Sequence, residues 1–209
     1  MHAGSRLLAV NKPSGLLCVP GRGEDKQDCL SRRVQSVYPD ALVVHRLDMA
    51  TSGLMLMARG LTMQREFSQL FERREIRKRY QAVVHGRLEP SPKTDEWSLI
   101  DLPIAVDWPR RPLRIIDAGH GKPSQTLWRA LAFDENSNST RIELEPLTGR
   151  SHQLRVHLQA LGYPILGDAL YAPPGVQASA PRLLLHACRL QFTHPVSGSW
   201  MELQSDPDF

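Results

Sequence analysis

Short apolar runs, bounded by Gly, Pro and polar residues, predict strands along most of the chain. The predicted strands cover residues 6–10, 42–44, 53–58, 80–84, 125–133, 141–146 and 183–192. They outnumber the predicted helices and show no regular strand–helix–strand alternation. The pattern therefore indicates an α+β fold on a mixed, largely antiparallel sheet.

Apolar residues at helical spacing predict three helices. One covers residues 28–37, before Pro39. A second follows a cap at Thr62, and a third follows a cap at Ser151 and ends near Gly162. Residues 88–123 are rich in Pro, Gly and Arg, which predicts irregular connections and short strands there. We predict no domain boundary in that stretch and a single domain over residues 1–209.

Charge is the compositional feature that bears most on function. The net charge is +4, the isoelectric point is about 9.2, and 21 Arg stand against 5 Lys. Arginine binds phosphates with a planar fork and stacks on bases, so this balance permits nucleic-acid binding. The arginines are densest in the segment 73–79 (RREIRKR) and at Arg110, Arg111 and Arg114.

Cysteine usage and hydropathy limit the class of protein further. Cys18, Cys29 and Cys188 are an odd number at wide spacing, which excludes a disulfide framework and a cysteine-rich zinc site. No apolar run approaches the roughly 20 residues that a membrane-spanning helix needs. We therefore expect a cytoplasmic protein with no membrane segment and no metal.

Asp48 is the most distinctive candidate for chemistry. It is a lone carboxylate in His45–Gly53 (HRLDMATSG), on a predicted loop between two strands. Taken alone, an aspartate there is typical of a turn. Two further segments change that interpretation. Tyr80 lies in a predicted strand after the basic segment, and Thr148–Arg155 (TGRSHQLR) spans a strand-to-helix corner.

Together these segments resemble the RluA family of RNA pseudouridine synthases. HRLDMATSG is similar to that family's catalytic-aspartate motif, KRYQAVVHG (78–86) to its tyrosine motif, and TGRSHQLRVH (148–157) to its arginine motif. NKPSGLLCVPG (11–21) and RLLLHA (182–187) also match. The resemblance covers nearly the whole chain. We expect no appended S4-like RNA-binding domain. It is greatest to the short, dual-specificity member, which modifies large-subunit (23S) ribosomal RNA and the tRNA anticodon stem-loop.

The resemblance implies a mostly antiparallel sheet with an active-site cleft, a reaction without a cofactor, and a role for each site residue. Asp48 would act on a flipped uridine, as a nucleophile or as a base. Arg150 would pair with Asp48 and hold it ionised and oriented. Tyr80 would stack on the uracil and take its C5 proton, and Leu184 or Leu185 would form an apolar floor.

RNA binding follows from the same resemblance. A stacked uracil cannot reach the carboxylate, so the nucleotide must be flipped out, and Arg46 would fill the gap. Arg77, Lys78 and Arg79 would bind phosphates in rRNA and tRNA stem-loops. We expect the protein to act as a monomer. Two alternatives stay open: an RNA-binding module without catalysis, and a hydrolase using Ser151, His152 or His157.

Overall fold

The computed structural model describes residues 2–3, 6–89 and 97–209. Within them the elements are, in chain order, β1 (His2–Ala3), β2 (Leu7–Lys12), a 3₁₀ helix (Glu24–Lys26), α1 (Leu30–Gln35), β3 (Ala41–Val43), β4 (Ser52–Arg59), α2 (Leu61–Glu72), β5 (Arg77–His85), β6 (Ser98–Asp101), β7 (Ile104–Val106), β8 (Arg114–Ile116), β9 (Gln125–Asp134), β10 (Ser139–Pro146), α3 (Gln153–Ala160), α4 (Pro174–Ala178), β11 (Leu185–Thr193) and β12 (Trp200–Gln204).

The predicted α+β class is confirmed. Nine strand pairs have a defined register in the described part of the chain, and all of them are antiparallel except β4 with β11. The chain forms two compact units. The first comprises residues 1–78 and 186–208, and the second comprises residues 79–185 with Phe209.

The first unit is built around β4, which pairs with β2, β3 and β11. Both faces of this strand are buried, which explains its continuous apolar sequence. Leu54 and Leu56 pack under α2 with Phe67, whereas Met55 and Met57 face α1 and the segment that precedes it. β4 thereby gives the loop before it a rigid base.

The second unit is a sheet of β5, β10, β9 and β6, with α3 packed on one face. The hydroxyl of Thr126 on β9 contacts both Gln153 (3.0 Å) and His157 (2.9 Å) of α3. The short strands β7 and β8 pair with each other within the stretch predicted to be irregular. Residues 90–96 of that stretch lie outside the described residues.

Two predicted helix caps are wrong. Gly60, with φ of 79°, precedes α2, which begins at Leu61, so Thr62 is already helical. His152, in the left-handed region with φ of 58°, precedes α3 in place of Ser151. In neither helix does the capping residue's side chain bond the first turn.

Candidate active site

Asp48 lies in the first unit, on the loop between β3 and β4, as predicted. It is half-buried, and its carbonyl oxygen accepts a hydrogen bond from the Thr51 amide at 3.1 Å. Thr51 is buried, and β4 begins at the next residue. The carboxylate is therefore carried by a tight turn at the start of a fully buried strand.

The turn at residues 12–16 holds this loop in place. Lys12 is fully buried, and its ammonium donates to the carbonyl oxygens of Pro13, Leu16 and Met49, each at 2.9 Å. The Gly15 amide donates to the same Met49 oxygen at 2.9 Å. The Ser14 hydroxyl donates to the Ala50 carbonyl at 2.7 Å. The two residues that follow Asp48 are thus bound to the turn through their main chain.

Lys12 also acts on Asp48 electrostatically. Burial lowers the pKa of Lys12 to about 8, and electrostatic interactions with Cys18 and Asp48 oppose that shift. In the sequence Lys12 stands out only as part of the matching segment NKPSGLLCVPG (11–21). The available signal is a lysine that follows the apolar run Leu7–Val10 by two residues.

In the segment before Asp48, His45 and Leu47 are both held by contacts with other segments of the first unit. The His45 Nε2 accepts from the Leu56 amide at 2.9 Å, and its ring stacks on Phe71 with centroids 4.2 Å apart. Burial, with a smaller effect of Lys78, lowers the pKa of His45 to about 3. The Leu47 amide and carbonyl both contact the Cys18 thiol. Between these anchors Arg46 is exposed.

Tyr80 lies in the second unit, on β5. It is half-buried and stands opposite the fully buried Leu144 of β10. Because side chains alternate along a strand, Tyr80 and Arg79 point to opposite faces of the sheet. The side chains of Tyr80 and Leu144 lie on the same face of the sheet.

The three basic residues before Tyr80 do not form one uniform patch. Arg79 contacts Glu143 (3.1 Å) and Glu145 (3.0 Å), and only 13% of its side chain is exposed. Burial, with a smaller effect of Arg74, lowers the pKa of Lys78. Arg77 is exposed. Paired with two carboxylates, Arg79 is a poor candidate for phosphate binding, and Arg77 is the most accessible cation of the three.

Arg150 lies at the corner between β10 and α3, with an exposed side chain. Gln153 organises this corner, because its Oε1 accepts from the Thr148 hydroxyl (2.8 Å) and the Arg150 amide (3.0 Å). Its amide nitrogen donates to the Gln125 carbonyl at 2.9 Å. The Thr148 hydroxyl oxygen also accepts from the Gln125 amide at 2.9 Å. The main chain at Arg150 is thus fixed by several hydrogen bonds at once.

Ionic and aromatic contacts hold the other side of this corner. Arg155 and Asp168 are buried and form a two-pronged ion pair, with Nε to Oδ2 at 2.8 Å. The Arg155 guanidinium lies over the Tyr171 ring, 5.0 Å from its centroid. The Tyr171 hydroxyl bonds the His152 Nδ1 at 2.6 Å. These contacts fix the first turn of α3.

The hydrolase alternative gains no support from the two histidines. His157 is fully buried, its Nε2 donates to the Leu102 carbonyl (3.0 Å), and burial lowers its pKa. His152 is bonded to Tyr171. Over the described ranges, no three His, Cys, Asp or Glu side chains come together as a metal site. No helix within those ranges is long and apolar enough to span a membrane.

Strand alternation separates the two leucine candidates. Leu184 packs with Val83, Leu166 and Val176, and its carbonyl accepts from the Val83 amide at 3.1 Å. Val83 is three residues from Tyr80 on β5, so the two side chains point to opposite faces. Leu185 begins β11 and is buried. Of the two, Leu185 is the one that alternation directs toward the face of Tyr80.

The predicted site residues fall into two sets. Asp48 and Arg46 share one loop of the first unit. Tyr80, Arg150, Leu184 and Leu185 belong to the second unit. The pairing of Asp48 with Arg150 stays a prediction.

Comparison with known proteins agrees with these motifs. The model of the RNA pseudouridylate synthase family matches residues 6–160, so the chain belongs to that family. This confirms the predicted resemblance. The chain is an RNA pseudouridine synthase, and its reaction is an isomerisation.

Particular relatives match over the full length. The chain is 47% identical over all 209 residues to the dual-specificity RNA pseudouridine synthase RluA of Escherichia coli K12, covering 93% of that protein. It is 45% identical to the protein of the same name from Pasteurella multocida, again covering 93%. Among solved structures, human RNA pseudouridylate synthase domain containing 1 superposes with a TM-score of 0.80 at 27% identity, over 100% of this chain and 82% of that one.

Proposed function

We propose that this enzyme converts uridine to pseudouridine in hairpin loops of large-subunit rRNA and of the tRNA anticodon stem-loop, with Asp48 as its catalytic carboxylate. The proposal rests on one observation: Asp48 lies on a loop that is held in place by the buried ammonium of Lys12. The chain is 45–47% identical over its full length to enzymes named as dual-specificity synthases, which supports the two RNA classes. We expect the enzyme to work as a monomer in the cytoplasm, where both RNAs are found.

The reaction needs little from the protein beyond one carboxylate. The N1–C1′ bond of uridine breaks, the uracil turns, and a C5–C1′ bond forms. The proton on C5 leaves and N1 gains one, so no atoms or electrons are added. Asp48 acts either as a nucleophile on the sugar or base, or as a base that takes a sugar proton. Lys12 supports each role, because its ammonium fixes the turn that carries Asp48.

The second unit supplies the groups that hold the base. Tyr80 stacks on the uracil and takes the C5 proton. Arg150 pairs with Asp48 and orients it, which suits an exposed side chain on a rigid main chain. Leu185 forms the apolar floor.

Arg46 and Arg77 act on the RNA around the target. Flipping a nucleotide costs a few kcal/mol, and the planar guanidinium of Arg46 fills the vacated place in the stack. Arg46 is exposed and lies two residues from Asp48. Arg77 binds phosphate, in preference to the ion-paired Arg79.

Release of tritium tests this proposal. Two synthetic hairpins, an rRNA loop and an anticodon stem-loop, carry uridine labelled at C5. The wild-type enzyme releases tritium from one uridine in each loop without shortening the RNA, and a chelator changes nothing. Asp48→Asn binds both hairpins but lowers the rate by several orders of magnitude, because the carboxylate has no substitute.

Asp25→Asn is the matched control, since Asp25 is an exposed carboxylate in the same unit. It keeps the wild-type rate. Tritium release by Asp48→Asn at a rate near wild type would overturn the role of Asp48. RNA cleavage, or loss of activity with the chelator, would favour a hydrolase.

A further inference from the structure

Residues 107–114 comprise the connection between β7 and β8 and the first residue of β8, and we call them the Trp108 loop. They expose Trp108, Arg110 and Arg111 and also carry the half-buried Arg114. Trp108 is 65% exposed. Such a large apolar surface in water contributes little to the core of its own protein. An exposed aromatic beside cations is typical of a surface that binds single-stranded nucleic acid.

The main chain of the Trp108 loop is held in one conformation. The Asp107 amide donates to the Leu113 carbonyl at 3.1 Å, and the Leu113 amide donates to the Arg110 carbonyl at 3.0 Å. The buried Asp107 carboxylate accepts from the Arg110 Nε at 2.7 Å. At the far end the Tyr171 hydroxyl accepts from the Arg114 amide at 2.9 Å. The exposed side chains are therefore presented on a rigid frame.

The arginines of the Trp108 loop are oriented before any ligand binds. The Arg111 guanidinium lies over the Trp108 ring, 4.2 Å from its centroid, and its Nε donates to the Trp108 carbonyl. Arg114 donates to two carbonyls of its own loop through one nitrogen, Nη1. Arg110 pairs with Asp107, so Arg111 and Arg114 give the loop a net charge of +2. Preoriented cations lose less entropy when they bind an anion.

We propose that the Trp108 loop is a second RNA contact, in which the indole stacks on an unpaired base and Arg111 and Arg114 bind the neighbouring phosphates. This inference rests on the proposed action on RNA and names a further part of the substrate. An unpaired base is required, because a paired base has its faces stacked on its neighbours. The Trp108 loop supplies docking and leaves the chemical step unchanged.

Substitution of Trp108 tests the stacking. Trp108→Ala raises the Kd for a hairpin with unpaired nucleotides by roughly 5- to 150-fold, the range that corresponds to about 1–3 kcal/mol for one base–aromatic stack. Trp108→Phe raises it less. The Ala variant binds a fully paired duplex as the wild type does, and its single-turnover rate at saturating RNA is unchanged. Trp200→Ala is the matched control, since Trp200 is 64% exposed on β12.

A salt series separates stacking from phosphate binding. Trp108→Ala keeps the wild-type slope of log Kd against log salt. Arg111→Gln with Arg114→Gln lowers that slope by about 0.7 for each single-strand phosphate that the variant no longer neutralises. Circular dichroism and the melting temperature confirm that each variant is folded.

The outcomes distinguish this inference from the proposed function. If the wild type forms pseudouridine while Trp108→Ala binds hairpins as tightly as Trp200→Ala does, the Trp108 loop is not an RNA contact and the proposed function stands. If Trp108→Ala weakens duplex and hairpin alike, stacking on an unpaired base is wrong. If the wild type binds neither hairpin, both proposals are overturned.

Discussion

The loop that carries Asp48 and the corner that carries Arg150 are stabilised in different ways. The Asp48 loop depends chiefly on one fully buried ammonium, that of Lys12, bonded to main-chain oxygens on both segments. The Arg150 corner depends on a network in which Thr148, Gln153 and Gln125 each make more than one hydrogen bond. The first arrangement has one central group, whereas the second has several that overlap.

This difference relates to the chemistry expected of each region. A buried cation fixes a turn and also supports a negative charge close by, which neutral hydrogen bonds do more weakly. The Arg150 corner carries its own positive charge and needs only geometry from its surroundings. Substitutions should therefore affect the two regions unequally.

The largest effect is expected at Arg150 itself. Under the proposed pairing, Arg150→Met removes the cation that would orient Asp48 and lowers kcat by about 10²- to 10³-fold, as loss of a preorganised electrostatic interaction does elsewhere. Single-turnover tritium release at saturating RNA measures it. The fold stays intact, because Arg150 is exposed. Arg87→Met, at an exposed arginine of the same unit, is the control. A kcat within a few-fold of wild type would argue against the pairing.

The two stabilising arrangements are compared directly by Lys12→Met and Thr148→Val. Lys12→Met releases the Asp48 turn and lowers kcat by about 10²-fold, since small misplacements of catalytic groups are costly. Thr148→Val costs about fivefold, the equivalent of one net hydrogen bond, because Gln153 still binds the Arg150 amide. Both rates are measured at a temperature where circular dichroism shows folded protein.

Lys26→Met, at an exposed lysine of the first unit, is the control for loss of a lysine charge. Equal losses of kcat in Lys12→Met and Thr148→Val would show that the Asp48 loop depends on a single group no more than the Arg150 corner does.

His45, in the Asp48 region, makes the free energy of unfolding depend on pH. Between pH 6.5 and about 3 the unfolded state binds a proton that the folded His45 does not, so stability falls as the pH falls through that window. From pH 7 to pH 5 the free energy of unfolding drops by about 2 kcal/mol from this group. His45→Gln, whose side-chain oxygen can accept from Leu56, removes that part of the drop. Urea unfolding at both pH values measures the difference.

His120→Gln is the control for the pH experiment, because that side chain is 90% exposed. It leaves the pH dependence as in the wild type. A drop that persists undiminished in His45→Gln would show that another group is responsible.

The sequence predicted the fold class and most strands because their signals are local. The buried strand β4 and the strands β9 and β10 carry that signal clearly. The strands that it missed are short, as β7 and β8 are, or alternate weakly at an edge, as β12 does. The start of α3 was misplaced because Gln153 turns its side chain back to Thr148 and Arg150, which no local capping rule anticipates.

The site was predictable in its motifs but not in its supports. Arg77, Lys78 and Arg79 are consecutive cations in the sequence and look like one basic patch. Strand alternation places Lys78 on the face opposite Arg77 and Arg79. The partners of Arg79 are glutamates on β10, a strand that is distant in the sequence. The hydrogen bond from Lys12 to the Met49 carbonyl joins residues that are 37 positions apart in the sequence. Such contacts depend on tertiary structure and leave little trace in the local pattern.

Mapping of pseudouridine in cellular RNA tests the central claim most directly. Total RNA is compared from cells that lack this protein and from the same cells given the wild-type chain or Asp48→Asn. The account predicts that pseudouridine disappears from rRNA and tRNA hairpin loops in the deficient cells, returns with the wild type, and does not return with Asp48→Asn. Restoration of those sites by Asp48→Asn, or their persistence without the protein, would contradict it.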